Sequence, residues 1–319
     1  MTEAAFLAEL EQLFGRDRVQ AHVPLRLFTT FRVGGPAAMF VQTRSSSEML
    51  AALRAAHAHA VAITILGGGS NVLISDAGIG GLVIRPRGGS IRRIDDAHIE
   101  ADAAVTINGL VRWTVTHGAA GLEAWAGTPG TVGGAVFGNA HFGGRLIGEH
   151  VTRVRLATRD GREHDAAASA MAFGYDRSRL QDTGEVLLAA EFMIADGEPS
   201  VLRATARQSL AFRKRTQPLD TPSAGCVFQN PDPALDRLPE GVPWSAGALV
   251  DRAGLKGCRI GGAMVSLTHG NFIVNDGSAT AADIRRLIER CRRVVRDRFG
   301  VELREEIVYL GEFDVHTAD

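Results

Sequence analysis

Two dense glycine clusters, each beside an apolar run, constrain this chain more than any other feature. Val61 to Leu66 is β-branched, reads as a short buried strand, and runs straight into Gly67-Gly68-Gly69-Ser70-Asn71. Downstream, the stretch from Gly127 to Gly144 holds seven glycines in eighteen residues. Glycine makes up 37 of 319 residues, about 12% against a usual 7% or so. Without a Cβ, a backbone can turn sharply and bring its N–H groups within bonding distance of phosphate oxygens. Ser70 and Asn71 add side-chain donors. A single loop of this kind is equally well a tight surface turn. Two common nucleotide loops are excluded. A Walker loop needs a lysine that is absent here, and Val72 stands where a dinucleotide fingerprint needs glycine or alanine. The second cluster is Gly127-Thr128-Pro129-Gly130-Thr131-Val132-Gly133-Gly134-Ala135, followed by Asn139. A flexible linker would be Ser-rich and would lack the apolar Val132, Ala135, Val136 and Phe137. Two glycine cradles beside strand patterns imply a diphosphate held between two lobes.

The remaining pattern alternates irregularly between helix and short strand, which predicts an α+β protein rather than a doubly wound parallel sheet. Phe6, Leu7, Leu10, Leu13 and Phe14 sit at helical spacing before Gly15. Ser45 to Glu48 is a capping box that opens a second helix. Strands are expected near 82–85, 98–104, 151–157, 186–194 and 301–310, with a hairpin turn at Asp160-Gly161. Helices are expected over about 106–117, 198–215 and 245–253, and from Thr280 to a stop at Gly300. The apolar face of the last comprises Ile284, Leu287, Ile288, Cys291, Val294 and Val295. This places an N-terminal helix in 1–20, one domain in 21–196 and a second in 197–319, with the boundary near Asp196-Gly197.

With 35 basic and 36 acidic side chains, the formal net charge is −1, so a large nucleic-acid footprint is not expected. Cys226, Cys258 and Cys291 lack CxxC spacing, which argues against a disulfide framework or zinc site and fits a reducing cytosol. Asp76, Asp251 and the histidines show no spacing suited to a metal, so none is expected. No signal peptide and no membrane-spanning apolar run is expected, so the protein reads as cytoplasmic. Oligomeric state is not legible.

The ordered motifs Thr30-Phe31-Arg32-Val33-Gly34-Gly35-Pro36-Ala37, Leu66 to Leu73 and Gly127 to Ala135 resemble the UDP-N-acetylenolpyruvoylglucosamine reductase family. So do Pro222-Ser223-Ala224-Gly225-Cys226-Val227-Phe228-Gln229-Asn230-Pro231, Ala246 to Asp251 with Gly254 to Gly257, and Gly262-Ala263 through His269, Asn271 and Phe272. The resemblance implies a two-lobed FAD-binding domain of the vanillyl-alcohol-oxidase (PCMH) type and a C-terminal α+β substrate-binding domain. It implies non-covalent FAD, NADPH as co-substrate, and reduction of the enolpyruvyl ether of UDP-N-acetylglucosamine to UDP-N-acetylmuramate in peptidoglycan precursor synthesis. The short segment from Tyr175 to Leu187 is similar to the family's second type, which lacks an extra substrate-covering loop. A flavin oxidase on the same FAD fold and a non-catalytic flavin- or nucleotide-sugar-binding homologue are the alternatives.

By the same resemblance, Glu306 is the acidic partner at the developing enol, with Glu305 as its neighbour. In a period-two strand Glu306 would share a face with Arg304 and Val308. Cys226 stands where the family has serine as proton donor; a thiol can also donate a proton. Tyr175-Asp176-Arg177-Ser178 is similar to the family's Tyr-Arg-x-Ser, with aspartate in the arginine's place and Arg177 one residue later. Arg177 is expected to take the arginine's role, with Arg179 as the alternative. Tyr175, Arg213, Gln217, Asn230, His269 and Asn271 are expected at the substrate. Gly67, Gly68, Gly69, Ser70, Asn71, Thr128, Pro129, Gly130, Thr131, Gly133, Gly134, Ala135 and Asn139 are expected at the cofactor.

Overall fold

A computed structural model describes residues 3–313; residues 1–2 and 314–319, which the sequence boundaries above include, lie outside the described residues. The chain forms two compact units. The first comprises residues up to Val23, Ala38–Gly68 and Gly80–Phe212. The second comprises Pro24–Ala37, Gly69–Ile79 and the chain from Arg213 onward.

The first unit has two cores. In one, helices α1 (Glu3–Phe14) and α2 (Ser46–Ala58) cover a sheet in the order Val19–Pro24, Pro36–Thr43, Ile79–Pro86, Ile63–Ile65. Phe6, Leu10, Met49, Leu53, Leu82 and Ile84 are buried there. The Ser45 side chain accepts from Glu48 N at 3.2 Å and starts α2. Glu48 returns its carboxylate to Arg44 N at 2.8 Å, one residue earlier than in a standard capping box. The other core lies on a five-stranded antiparallel sheet in the order Glu163–Ala167, Val151–Ala157, Val186–Met193, His98–Asp102, Ile91–Arg93. Helices α3 (Ile107–Thr116) and α4 (Val132–Phe137) bury Leu110, Val132 and Val136 with Ile99 and Phe192. The short α5 (Leu180–Thr183) and most of α6 (Pro199–Thr216) complete the unit.

In the second unit, α7 (Ala246–Arg252) and α8 (Ala281–Phe299) share a core with the strands Arg259–Ile260, Ala263–Val265 and Ile273–Asn275. Thr280 and Asp283 cap α8 reciprocally, and Gly300, at φ +69°, closes it. Ile284, Leu287, Ile288, Cys291 and Val295 are its buried face. The expected strand over 301–310 is shorter: only Val308–Leu310 is a strand, parallel to Val72–Ile74. The cause is a change of partner. Gln229 N bonds Arg304 O and Glu306 N bonds Val227 O, after which Val308 N bonds Asn71 O. Two short pairings replace one ladder, so the strand alternation predicted for Glu306 does not hold. Among the described residues no helix is long and apolar enough to cross a membrane.

Candidate active site

The glycine loops meet backbone to backbone within the first unit. A Cβ added at Gly68 would stand 2.5 Å from Gly130 Cα, and one at Gly67 would stand 2.7 Å from Thr131 Oγ1. Both loops line a cavity of about 830 Å³. Gly67, Gly68, Gly130 and Thr131 form part of its wall, together with Arg85, Arg87, Arg112 and Trp113. Burial, then the nearby Arg87 charge, hold the Arg85 guanidinium below its ordinary pKa. The Trp113 indole stacks on His117, centroids 4.1 Å apart. Glycine backbone, three guanidinium groups and an aromatic stack fit the chemistry of a dinucleotide cofactor, whose diphosphate is anionic and whose base is planar. Sequence reasoning missed the arginines and Trp113. The signal was Arg85-Pro86-Arg87-Gly88-Gly89, a basic, glycine-containing segment where a strand ends.

Other expected cofactor residues carry hydrogen bonds within the fold. Gly133 N donates to Ala103 O at 2.9 Å and Gly134 N to Thr131 Oγ1 at 3.3 Å, so this turn is the capped start of α4. Ala135 is buried within it. Thr128 N bonds Trp125 O; Pro129 follows in the loop. Asn139 is fully buried, and its amide bridges Gly148 N at 2.8 Å and Gly174 O at 2.7 Å. Its side chain thereby ties the 174–178 turn to the segment at Gly148. Gly69, at φ +63°, packs against Phe28 O, where any Cβ would collide at 2.0 Å, and its carbonyl accepts from Thr30 N. Ser70 is half-buried in the following bend.

The second unit gathers the groups suited to acid chemistry. Glu306 is fixed at both peptide faces: its N–H donates to Val227 O at 2.8 Å, and its carbonyl accepts from Asn71 Nδ2 at 3.1 Å. Cys226 is the half-buried neighbour of Val227 and follows Gly225, which adopts φ +80°. Asn271 clamps this segment. Its Oδ1 accepts from Phe228 N at 2.9 Å and its Nδ2 donates to Phe228 O at 2.7 Å, so the amide expected at the substrate is instead spent on the loop that carries Cys226. Glu305, by contrast, faces Arg285 at 3.5 Å and Arg292 at 3.3 Å on α8.

Arg213, near the end of α6, is buried at 6% exposure. Burial pulls its guanidinium down to about 10, with the Cys226 thiol acting in the opposite sense. A cation retained against that cost beside a nucleophilic or acidic group is a mark of function. Gln217 N bonds Arg213 O at 2.9 Å, and Asn230 Oδ1 accepts from Ala246 N at the start of α7 at 3.1 Å. His269 is pushed below its ordinary pKa by burial, then by Lys256, and its Nδ1 accepts from Asn271 N at 3.2 Å.

Tyr175 and Arg177 lie in the first unit, in a turn closed by Gly174 and Arg177. Arg177 does not take up the expected position: its guanidinium reaches Asp182 at 2.9 Å on the surface, both side chains more than half exposed. Arg179 is bound to Glu185. Tyr175 lies beside His141, ring centroids 4.7 Å apart.

Residues 37–167 match the family described as FAD binding domain. Residues 217–310 match that described as UDP-N-acetylenolpyruvoylglucosamine reductase, C-terminal domain. The UDP-N-acetylenolpyruvoylglucosamine reductase of Desulfosudis oleivorans is 38% identical over 309 residues, covering 93% of this chain and 96% of that protein. The protein of the same name from Synechococcus sp. (strain JA-3-3Ab) is 38% identical over 299 residues, covering 93% of each. The crystal structure of UDP-N-acetylenolpyruvylglucosamine reductase (MurB) from Thermus caldophilus superposes with a TM-score of 0.75 at 32% identity, covering 92% of this chain and 99% of that one.

Proposed function

Because the chain belongs to the UDP-N-acetylenolpyruvoylglucosamine reductase family, we propose that it reduces the enolpyruvyl ether of UDP-N-acetylglucosamine to the lactyl ether, UDP-N-acetylmuramate, with NADPH as reductant. The step belongs to peptidoglycan precursor synthesis. FAD, when bound, supplies the two-electron store that carries hydride from NADPH to the enolpyruvyl methylene carbon. The chain's own residues bind, orient and move the proton. Gly67, Gly68, Gly130 and Thr131 approach the diphosphate through backbone, and Arg85, Arg87 and Arg112 offset its charge. As hydride adds to the methylene carbon, negative charge builds on the adjacent carbon and its carboxylate. Glu306 serves at this developing enol, and Cys226 delivers the proton that completes the C–H bond. Arg213, a buried cation that interacts electrostatically with Cys226, offers positive charge to the anionic substrate. Gln217, Asn230 and His269 serve at the substrate side, and Asn271 and Asn71 position the two acids.

The observation that carries this reading is the pairing of Glu306 N with Val227 O, which ties the carboxylate-bearing residue to the loop that bears Cys226. NADPH consumption by the FAD-loaded protein, with and without the enolpyruvyl substrate, tests it. Substrate-dependent consumption with formation of the lactyl ether is expected. Consumption of O₂ with another alcohol would favour a flavin oxidase, and substrate binding without turnover a non-catalytic homologue.

A further inference from the structure

Residues 266–272 connect the strands Ala263–Val265 and Ile273–Asn275 and carry a chain of hydrogen bonds that ends at the Cys226 loop. The connection is tightly wound. Ser266 Oγ accepts from Thr268 N at 3.1 Å and from His269 N at 3.4 Å, and Phe272 N donates to His269 O at 3.0 Å. Asn271, only 3% exposed, has its N–H, its carbonyl and both ends of its amide engaged. The carbonyl accepts from Val227 N at 2.9 Å, Oδ1 accepts from Phe228 N at 2.9 Å, and Nδ2 donates to Phe228 O at 2.7 Å. The N–H donates to His269 Nδ1 at 3.2 Å. Asn271 thus joins the two residues after Cys226 to one imidazole nitrogen.

That last bond fixes the state of the ring. A peptide N–H only donates, so Nδ1 is the unprotonated nitrogen and the ring proton sits on Nε2. A proton on Nδ1 would set two N–H groups against each other. The surroundings favour the neutral ring: burial, then the Lys256 charge, hold His269 below its ordinary pKa, and Asp251 of α7 bonds Lys256 at 2.8 Å. The ring is also fixed in space. Phe272 packs edge to face against it, centroids 4.9 Å apart. Gly247 of α7 lies so close that a Cβ there would stand 3.1 Å from His269 Cε1.

We propose that neutral His269 is a positioning residue: its Nδ1 orients the Asn271 peptide, and through Asn271 it sets the loop that bears Cys226. This rests on the function proposed above, in which Cys226 is the proton donor. Val227 O also accepts from Glu306 N at 2.8 Å, so a shift of Asn271 reaches both acids. Displacing a reacting group by about 1 Å can cost about a hundredfold in rate. The substrate-side role given to His269 above would use Nε2, so the two roles fall to different atoms of one ring.

The test uses the full chain loaded with FAD and two amide replacements, each keeping the place of one ring nitrogen. In His269→Asn the side-chain oxygen can stand where Nδ1 accepts. In His269→Gln the amide extends to the place of Nε2 and leaves Asn271 N–H without its acceptor. Flavin reoxidation is followed in stopped flow at saturating enolpyruvyl substrate. A contact made by Nε2 then shows in the concentration needed for saturation, not in the limiting rate. Amide hydrogen exchange at Val227 and Phe228, without substrate, reports the clamp itself. His269→Gln is expected to lower the limiting rate about ten- to a hundredfold and to speed that exchange about two- to tenfold. Flavin reduction by NADPH and exchange in α8 should stay as in the wild type. His269→Asn should keep the limiting rate within about threefold of the wild type, and the exchange slow. A wild-type limiting rate in His269→Gln would overturn the assignment. So would equal losses in the two variants, or a loss in His269→Gln with exchange at Val227 and Phe228 unchanged. Exchange that rises evenly through the unit, α8 included, would show a general loss of stability and overturn it as well. A wild type that leaves the enolpyruvyl ether unreduced would overturn the proposed function; the exchange comparison would still decide whether His269 holds the loop.

Discussion

Gly68→Ala isolates the contact between the two glycine loops. Gly68 has an ordinary negative-φ backbone, so alanine adds a methyl group without conformational strain. That methyl group would stand 2.5 Å from Gly130 Cα, 3.1 Å from Gly130 C and 3.2 Å from Gly130 N. Comfortable carbon–carbon separation is about 3.5–4.0 Å, so the loops must part by about 1 Å. The neighbours are backbone atoms, which cannot swing aside as a side chain does. Gly130 N–H belongs to the loop that leads into the capped start of α4, so the displacement moves both loops that line the cavity. Overpacking of this kind costs about 1–3 kcal/mol. Charged to binding, that weakens FAD about five- to a hundredfold. The assay is fluorescence titration of apoprotein with FAD, with far-UV circular dichroism to confirm the fold. Gly80→Ala is the control, since a Cβ there meets nothing within 4 Å. Unchanged FAD affinity in folded Gly68→Ala would refute the claim that the touching loops form the cofactor cradle.

Glu306→Gln should slow flavin reoxidation by the enolpyruvyl substrate in stopped flow far more than flavin reduction by NADPH. Glu305→Gln, which removes a carboxylate from Arg285 and Arg292, should instead lower stability by roughly 1 kcal/mol with both half-reactions near normal. Cys226→Ala should cut substrate-dependent reoxidation by about 10²–10⁴-fold, the usual range for a lost general acid, and Cys226→Ser should retain most of it. Burial pushes the Cys291 thiol up to about 12, so at about pH 8 alkylation should spare Cys291 in the folded protein, as mass spectrometry will show. Arg177→Ala should leave turnover within about twofold, because its partner is an exposed carboxylate on the surface. Arg213→Met should abolish turnover while raising stability by up to about 3 kcal/mol in denaturant melts, since it removes a cation that burial opposes.

Local features of the fold were legible because their causes are local. The cap at Thr280 and Asp283, the apolar stripe of α8 and the stop at Gly300 lie within one helix and its ends. The strand expected over 301–310 failed for a long-range reason: the segment bonds the 227–229 loop first and Val72–Ile74 afterwards. No periodicity within ten residues carries that change of partner. The same limit governs the site. Glycine density pointed to Gly67, Gly68 and Gly130, which do line the cavity. It pointed equally to Gly133 and Gly134, whose N–H groups are taken up by Ala103 and Thr131. Asn139 and Asn271 show in sequence as donors of the right type. Only their burial and bonding reveal that both hold loops in place. Asp176 read as a departure from a motif; its bond to His141, thirty-five residues away, gives the departure a partner.

Two adjacent glutamates on one stretch of chain raise the question of what separates their roles. The answer lies in the backbone rather than in the side chains. Glu305 forms a single bridge with Phe228, and its carboxylate is drawn to the arginines of α8. At Glu306 the chain leaves the 227–229 loop and turns toward Val72, so this one residue is bonded on its N–H side by Val227 and on its carbonyl side by Asn71. Asn71 ends the glycine loop that begins at Gly67, and Val227 follows Cys226. The residue at the change of partner is therefore coupled to both loops, whereas Glu305 is coupled to the helix that stabilises the unit. A strand that continued regularly through 301–310 would have placed the two carboxylates on opposite faces of one ladder. Breaking the ladder at Glu306 leaves Glu305 paired with the arginines of α8 and sets Glu306 where the proposed function calls for an acid.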